Sequence, residues 1–173
     1  HLVTGTVTGP DGSPLPNATV YVSGSNVSSG TNADASGQYS LYAPTATYVP
    51  YAYPPMTRLD IFSRTFGAVA VLGPTTIDLA FTGITWSGVV REAGTGTPIP
   101  GATVRVVGDG YYGYLGKAKS TTDGTGAFKL YLASPQGYRL SAAAPGFAPL
   151  GPIEASAGSD STFDLILNFS SAP

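Results

Sequence analysis

One nine-residue pattern is written twice in this chain, and the duplication limits the fold more than any other feature: Pro14-Leu15-Pro16-Asn17-Ala18-Thr19-Val20-Tyr21-Val22 returns 84 residues later as Pro98-Ile99-Pro100-Gly101-Ala102-Thr103-Val104-Arg105-Val106. In both places a Pro-aliphatic-Pro turn feeds Ala, Thr and alternating Val, which is how a half-buried strand begins. The 173 residues therefore divide into two repeats of about 85, each near the lower size at which a domain keeps a core of its own.

The rest of the pattern falls into register with this stretch. Val3, Gly5 and Val7 share one face of a first strand, as do Ile84, Trp86, Gly88 and Val90 in the second repeat, so parity places Trp86 in the core. Ala18, Val20 and Val22 are answered by Ala102, Val104 and Val106. Asp34-Ala-Ser-Gly37 before Tyr39 and Leu41 is matched by Asp123-Gly-Thr-Gly126 before Phe128 and Leu130, a turn opened by Asp and closed by Gly, then alternation. Tyr48 answers Tyr138, and Thr76–Phe81 answers Thr162–Leu167 as a closing strand. The second repeat alone carries the loop Gly108–Gly116. Between Pro55 and Phe66, the spacing of Leu59, Phe62 and Phe66 fits either a short helix or an irregular strand. No Pro/Ser linker separates the repeats near Phe81-Thr82-Gly83. The expected domains are 1–82 and 83–173, joined almost strand to strand as a rod-like pair.

Composition sharpens the class. Gly 23 and Pro 15 break the chain too often for long helices, whereas short strands joined by turns tolerate them, so the fold is read as all-β. Charged residues at 10% leave a surface of Ser, Thr, Gly, Asn and Tyr that repels neighbours weakly. A net charge of −2 without a Lys/Arg run argues against nucleic acid and anionic membrane as partners. The apolar run Phe66–Gly73 is short and broken by glycine, so no membrane insertion is expected. Without cysteine there are no disulfides, thiolate metal sites or Cys nucleophiles. His1 leads straight into the strand pattern, as expected if an export signal had been removed or the chain were a fragment.

Gly88, Val90, Pro98, Ile99, Gly101, Ala102, Val104, Val106, Thr122, Asp123, Gly126, Phe128, Leu130, Gly137, Tyr138, Leu140 and Gly146-Phe147 together resemble the motif of the carboxypeptidase regulatory-like domain. The first repeat keeps Gly5, Val7, Pro14, Leu15, Asn17, Ala18, Val20, Val22, Asp34, Gly37, Tyr39 and Leu41 but has Thr47-Tyr48-Val49-Pro50 where the family has Gly-Tyr-x-Leu. The resemblance implies two tandem seven-stranded Greek-key β-sandwiches of transthyretin-like type. It also implies a non-catalytic module used as spacer, stalk or interaction domain in secreted and surface proteins, with motif residues spent on turns and core.

Candidate chemistry is sparse. A Ser-His-Asp arrangement would have to use His1 at a free chain end, where nothing fixes the imidazole, and a copper brace would need a second His. Asp34/Asp123 and Asp78/Asp164 recur as pairs, which marks turn and strand roles, since glycoside hydrolysis needs two acids held across a cleft. A calcium site on Asp109 or Asp123 lacks the spaced acidic ligands of a dedicated loop. No cofactor or metal is expected. Tyrosines flanked by Gly or Pro are the conspicuous excess: Tyr48, Tyr51 and Tyr53, then Tyr111, Tyr112 and Tyr114. A flat ring with a polar tip suits stacking on sugar or protein as well as capping a sandwich end. Asn17, Asn26 and Asn168 open Asn-x-Ser/Thr sequons at outward or turn positions, so glycan attachment is expected there.

These features together read as an extracellular or cell-surface glycoprotein, a repeat subunit of a filament, stalk or adhesin that self-associates into a homo-oligomer. The amphipathic terminal segments Leu2–Val7 and Phe163–Phe169 are expected to pair as edge strands between subunits. The alternative is a carbohydrate-binding module that uses the exposed tyrosines.

Overall fold

A computed structural model describes residues 1–24, 26–108, 117–133, 137–156 and 158–170. Those residues contain β-strands and turns and no helix. By contacts the chain divides into His1–Arg58 with Ser63–Thr82, and Leu59–Phe62 with Gly83–Pro173.

In the first unit, β1 (Leu2–Thr8), β4 (Gln38–Tyr42), β8 (Thr75–Thr76) and β9 (Leu79–Ala80) form one sheet, with β1 between β4 on one side and β8 and β9 on the other. A second sheet takes β3 (Ser28–Asn32), β2 (Thr19–Ser23), β5 (Ala46–Tyr53) and β6 (Arg64–Thr65) in that order, and β7 (Val69–Val71) also pairs with β5. The second unit repeats the plan with longer strands. Its three-stranded sheet is β13 (Ala127–Leu132), β10 (Ile84–Glu92), β16 (Ser161–Leu167). Its four-stranded sheet is β12 (Lys117–Thr121), β11 (Thr103–Gly108), β14 (Gly137–Ala143), β15 (Leu150–Ser156). In each unit the closing strand runs parallel to the opening one, and alternate residues turn inward. Val3, Val7, Val20 and Val22 are fully buried in the first unit, and Trp86, Val90, Val104, Val106, Leu140 and Leu167 in the second.

The duplicated stretch is organising for a physical reason. Leu15 N–H donates to the Val7 carbonyl, and Val7 N–H donates to the Gly37 carbonyl. Ile99, Val90 and Gly126 repeat both bonds. The Pro-aliphatic-Pro turn and the Asp-x-x-Gly turn thus clamp the same first-strand residue. Gly37 and Gly126 sit at φ 75° and 74°, a region that suits glycine, and a Cβ at either would meet the Val7 or Val90 carbonyl oxygen at 2.7 or 2.8 Å.

The repeats differ where Tyr39 replaces the Phe128 of the second. The Tyr39 hydroxyl donates to the Ile77 carbonyl at 2.6 Å, and the Asp78 carboxylate accepts the Thr6 N–H at 2.9 Å. The closing strand is therefore interrupted between β8 and β9, although both keep one register on β1. Phe128 has no hydroxyl to offer, and β16 runs unbroken beside β10 from Trp86↔Ser161 to Glu92↔Leu167. Burial, with the charge of Asp78 second, pushes the Tyr39 phenol well above its ordinary value.

The stretch between Pro55 and Phe66 is not a helix. Leu59 accepts from Lys119 N–H, Asp60 accepts from Tyr131 N–H, and Phe62 N–H donates to Tyr131. These four residues lie along β12 and β13, with Ile61 and Phe62 buried and Phe62 edge-on to Tyr138 at 5.3 Å. Leu59 and Phe62 share no helical face because main-chain groups of the second unit supply partners that a helix would have supplied internally. Phe66 instead packs edge-on to Phe81 in the first unit.

Candidate interaction surfaces

The recurring acids are occupied. Asp34 Oδ1 accepts from the Ser36 hydroxyl at 2.7 Å, Ser36 N–H at 2.8 Å and Gln38 N–H at 2.9 Å. Asp123 does the same with the Thr125 hydroxyl, Thr125 N–H and Ala127 N–H. These bonds, the hydroxyl's first, hold both carboxyls below the usual carboxylate range. A depressed folded value means that the stabilisation is complete well above pH 3.8, the ordinary value, and is lost as pH falls through the lowered one. The double variant Asp34→Asn, Asp123→Asn should be less stable at neutral pH and lose less stability on acidification. Thermal melts over a pH series check this, and an acid limb as steep as the parent's refutes it.

Asp164 faces Arg91 at 3.2 Å, and His1 Nε2 lies 2.9 Å from the Thr45 hydroxyl. Among the described residues no three His, Cys, Asp or Glu side chains group closely enough to hold a metal. Asp109 lies outside the described residues.

The tyrosines separate into core and surface. Tyr48 is 1% exposed and its hydroxyl donates to the Pro44 carbonyl, so it belongs to the core and cannot serve as an exposed stacking residue. Residue parity is the cause, since Tyr48, Pro50 and Ala52 turn inward along β5. Tyr51 and Tyr53 turn outward and half-exposed. Across the ladder Tyr21 lies opposite Tyr51 on β5 and opposite Gly30 on β3. Its ring stands edge-on to Tyr53 at 6.0 Å and covers Gly30, where a Cβ would meet the ring at 2.5 Å. Burial first, then Tyr21 and Tyr51, raise the Tyr53 phenol. Tyr21 was legible as an outward residue of the repeated stretch, but the register alone joins it to Tyr51 and Tyr53. Tyr111, Tyr112 and Tyr114 lie outside the described residues.

The sheet edges also correct an expectation. Leu2–Val7 is not an edge: β1 is paired on both sides, because the closing strand returns beside it. Of Phe163–Phe169, the part within β16 has β10 on one side and no strand on the other among the described residues. The end is covered: the Asn168 carbonyl accepts from Ala148 N–H, Ser170 N–H donates to the Gly146 carbonyl, and the Phe169 ring stacks on Phe147 at 4.8 Å. Asn17, Asn26 and Asn168 are all exposed, Asn17 at φ 60° in its turn.

A family model for the carboxypeptidase regulatory-like domain matches residues 2–58 and 85–168. The chain belongs to that family. Each regulatory-like match contains its repeat's Pro-aliphatic-Pro stretch and Asp-x-x-Gly turn, the two elements that clamp the opening strand. No curated protein matches the chain in sequence. Among solved structures it is similar to the Bacillus anthracis TIE protein at 15% identity and TM-score 0.43, covering 97% of this chain and 34% of that one. It is also similar to the shaft pilin SpaA from Lactobacillus rhamnosus GG at 14% identity and TM-score 0.46, covering 100% and 99%. A Streptococcal ancillary pilin gives 14% identity and TM-score 0.44, covering 99% and 62%. This chain thus spans about a third of the TIE protein's length. No helix among the described residues is long and apolar enough to cross a membrane.

Proposed function

We propose that this regulatory-like tandem is a non-catalytic structural subunit of an extracellular filament, stalk or adhesin, joined to further copies by strand pairing along β16. The carrying observation is that β16 has no strand on its second side among the described residues. The other edges of the second unit are closed or blunted: Leu59–Phe62 lies along β12 and β13, and β15 contains Pro152, which has no N–H to give. β16 has neither proline nor Lys/Arg over seven residues. Pairing β16 with a different edge of a second chain is heterologous and does not close on itself, so the array grows. The recurring acids, spent on turns and ladders, support a scaffold over an active site. Glycans on Asn17, Asn26 and Asn168 belong to the same proposal and would keep a charge-poor surface soluble.

The Leu167 carbonyl accepts from Ala93 N–H, the continuation of β10. Ile166, one residue earlier, therefore turns its own N–H toward the open side. Ile166→Pro removes that donor while leaving the ladder to β10 intact. Electron microscopy of the concentrated protein should show filaments that the variant lacks at unchanged circular dichroism. Monodisperse particles from the parent chain at high concentration sink the proposal.

A second reading, a carbohydrate-binding module, is favoured by the Tyr21, Tyr51 and Tyr53 face, which carries no Lys, Arg, Asp or Glu along β2, β3 or β5. Glycan-array binding lost in Tyr51→Ala would support it; binding that survives the substitution would remove it.

A further inference from the structure

The face that is aromatic in the first unit is cationic in the second. On β11 the outward residues are Thr103, Arg105 and Val107; Arg105 lies opposite Lys119 on β12 and Ser141 on β14, and Val107 lies opposite Lys117 and Arg139. Arg105, Lys117, Lys119 and Arg139 are all exposed. Half of the chain's 8 Lys and Arg thus share one sheet face, in a protein whose net charge is −2. No Lys/Arg run announced it, because the cations alternate on three strands that only the ladder brings side by side.

Directly opposed residues have Cβ atoms about 4.5–5.5 Å apart, and like charges there destabilise a sheet. Arg105 against Lys119 is such a pair. Among the described residues neither side chain, nor that of Lys117, forms a hydrogen bond or ion pair. The neighbouring acid on the sheet is Glu154, opposite Arg139 on β15, so along the ladder none of the other three cations faces an acid among the described residues. Beside Arg105 a hollow of about 550 Å³ is lined by Thr103, Ser141, Ala143, Pro145 and Pro152, offering hydroxyl groups next to the positive charge.

We propose that this face binds a linear anionic polysaccharide bearing sulfate or carboxylate groups, with Arg105, Lys117 and Lys119 as the anion contacts. The cations supply a field that attracts repeated negative charge, and guanidinium and ammonium groups donate to anionic oxygens. Single-stranded nucleic acid is disfavoured because the outward positions of β11, β12 and β14 carry no aromatic ring on which bases stack. A duplex is disfavoured because a flat sheet face offers no projecting element for a groove.

The test uses the full chain with four probes: heparin (sulfate), polygalacturonate (carboxylate), dextran (neutral) and a single-stranded oligonucleotide. At about 50 mM salt, heparin or polygalacturonate should bind, with affinity falling steeply as salt rises, and dextran should not. The triple variant Arg105→Ser, Lys117→Ser, Lys119→Ser should lose at least about tenfold in affinity, because each contact released by salt is removed with its charge. Glu154→Gln, which removes the nearby acid without touching the three contacts, should bind about two- to threefold tighter through weaker repulsion of the anion. Whichever anionic glycan binds identifies the group recognised. Neither glycan binding, equal binding by the triple variant, no gain in Glu154→Gln, or tighter binding of the oligonucleotide would each overturn the proposal. The readout is independent of filament formation, so Ile166→Pro should bind the glycan as the parent does.

Discussion

Gly88→Ala is expected to destabilise the second unit by about 3 kcal/mol, the upper end of what overpacking a closed site typically costs. The added Cβ would sit 2.0 Å from the Phe163 carbonyl oxygen and 2.9 Å from the Phe128 ring. Neither neighbour can retreat cheaply. The oxygen belongs to β16, held against β10 in an unbroken parallel register, and Phe128 is buried on β13, paired on the opposite side of β10. Glycine is needed here for close approach, not for a positive φ. Gly5 repeats the arrangement, with Ile77 O at 1.9 Å and the Tyr39 ring at 2.9 Å. Gly124→Ala is the control, since nothing lies within 4 Å of its Cβ position, and it should change stability by less than about 0.5 kcal/mol. The chain has one Trp, at position 86 in the second unit, so its fluorescence follows that unit through a urea titration. Equal midpoints for Gly88→Ala and Gly124→Ala would show that the strands can part after all.

Trp86→Ala should cost about 4 kcal/mol, since removing a large buried aromatic loses its transfer free energy and leaves a cavity. Trp86 is fully buried, 4.9 Å from Phe163 and 5.6 Å from Tyr138 between ring centroids, and those rings belong to different sheets. Its deletion therefore opens the space between the layers. Trp86→Phe should cost less than half as much. The indole Nε1–H is buried and has no hydrogen-bond partner among the described residues, so losing it removes a desolvation cost that partly offsets the lost volume. Urea unfolding followed by circular dichroism measures both variants. A Phe variant as unstable as the Ala variant would mean that the indole N–H is satisfied in solution.

Fold class was legible because it depends on local alternation. Val3/Val7, Val20/Val22 and Val104/Val106 alternate with polar residues, and all six are fully buried. The Asp-x-x-Gly turns were legible for the same reason, each bond closing within four residues. Tyr48 shows the limit. Its flanking residues suggested an exposed ring, but inward parity on β5 buried it beside the Pro44 carbonyl. Leu59–Phe62 shows another: its partners, Lys119 and Tyr131, lie 60 or more residues away in the chain, and no local pattern encodes such a distance.

By itself the sequence determined the duplication, the inward and outward alternation of each strand, and the turns that clamp the opening strand. Those properties rest on interactions between residues a few positions apart and on period-two burial. Only the tertiary structure decided that Leu2–Thr8 is an interior strand, that β16 has a strand on one side alone among the described residues, and that Arg105, Lys117, Lys119 and Arg139 share a face. Strand order and register are set by contacts between distant segments, so two residues become neighbours through the ladder that joins their strands, whatever their separation along the chain.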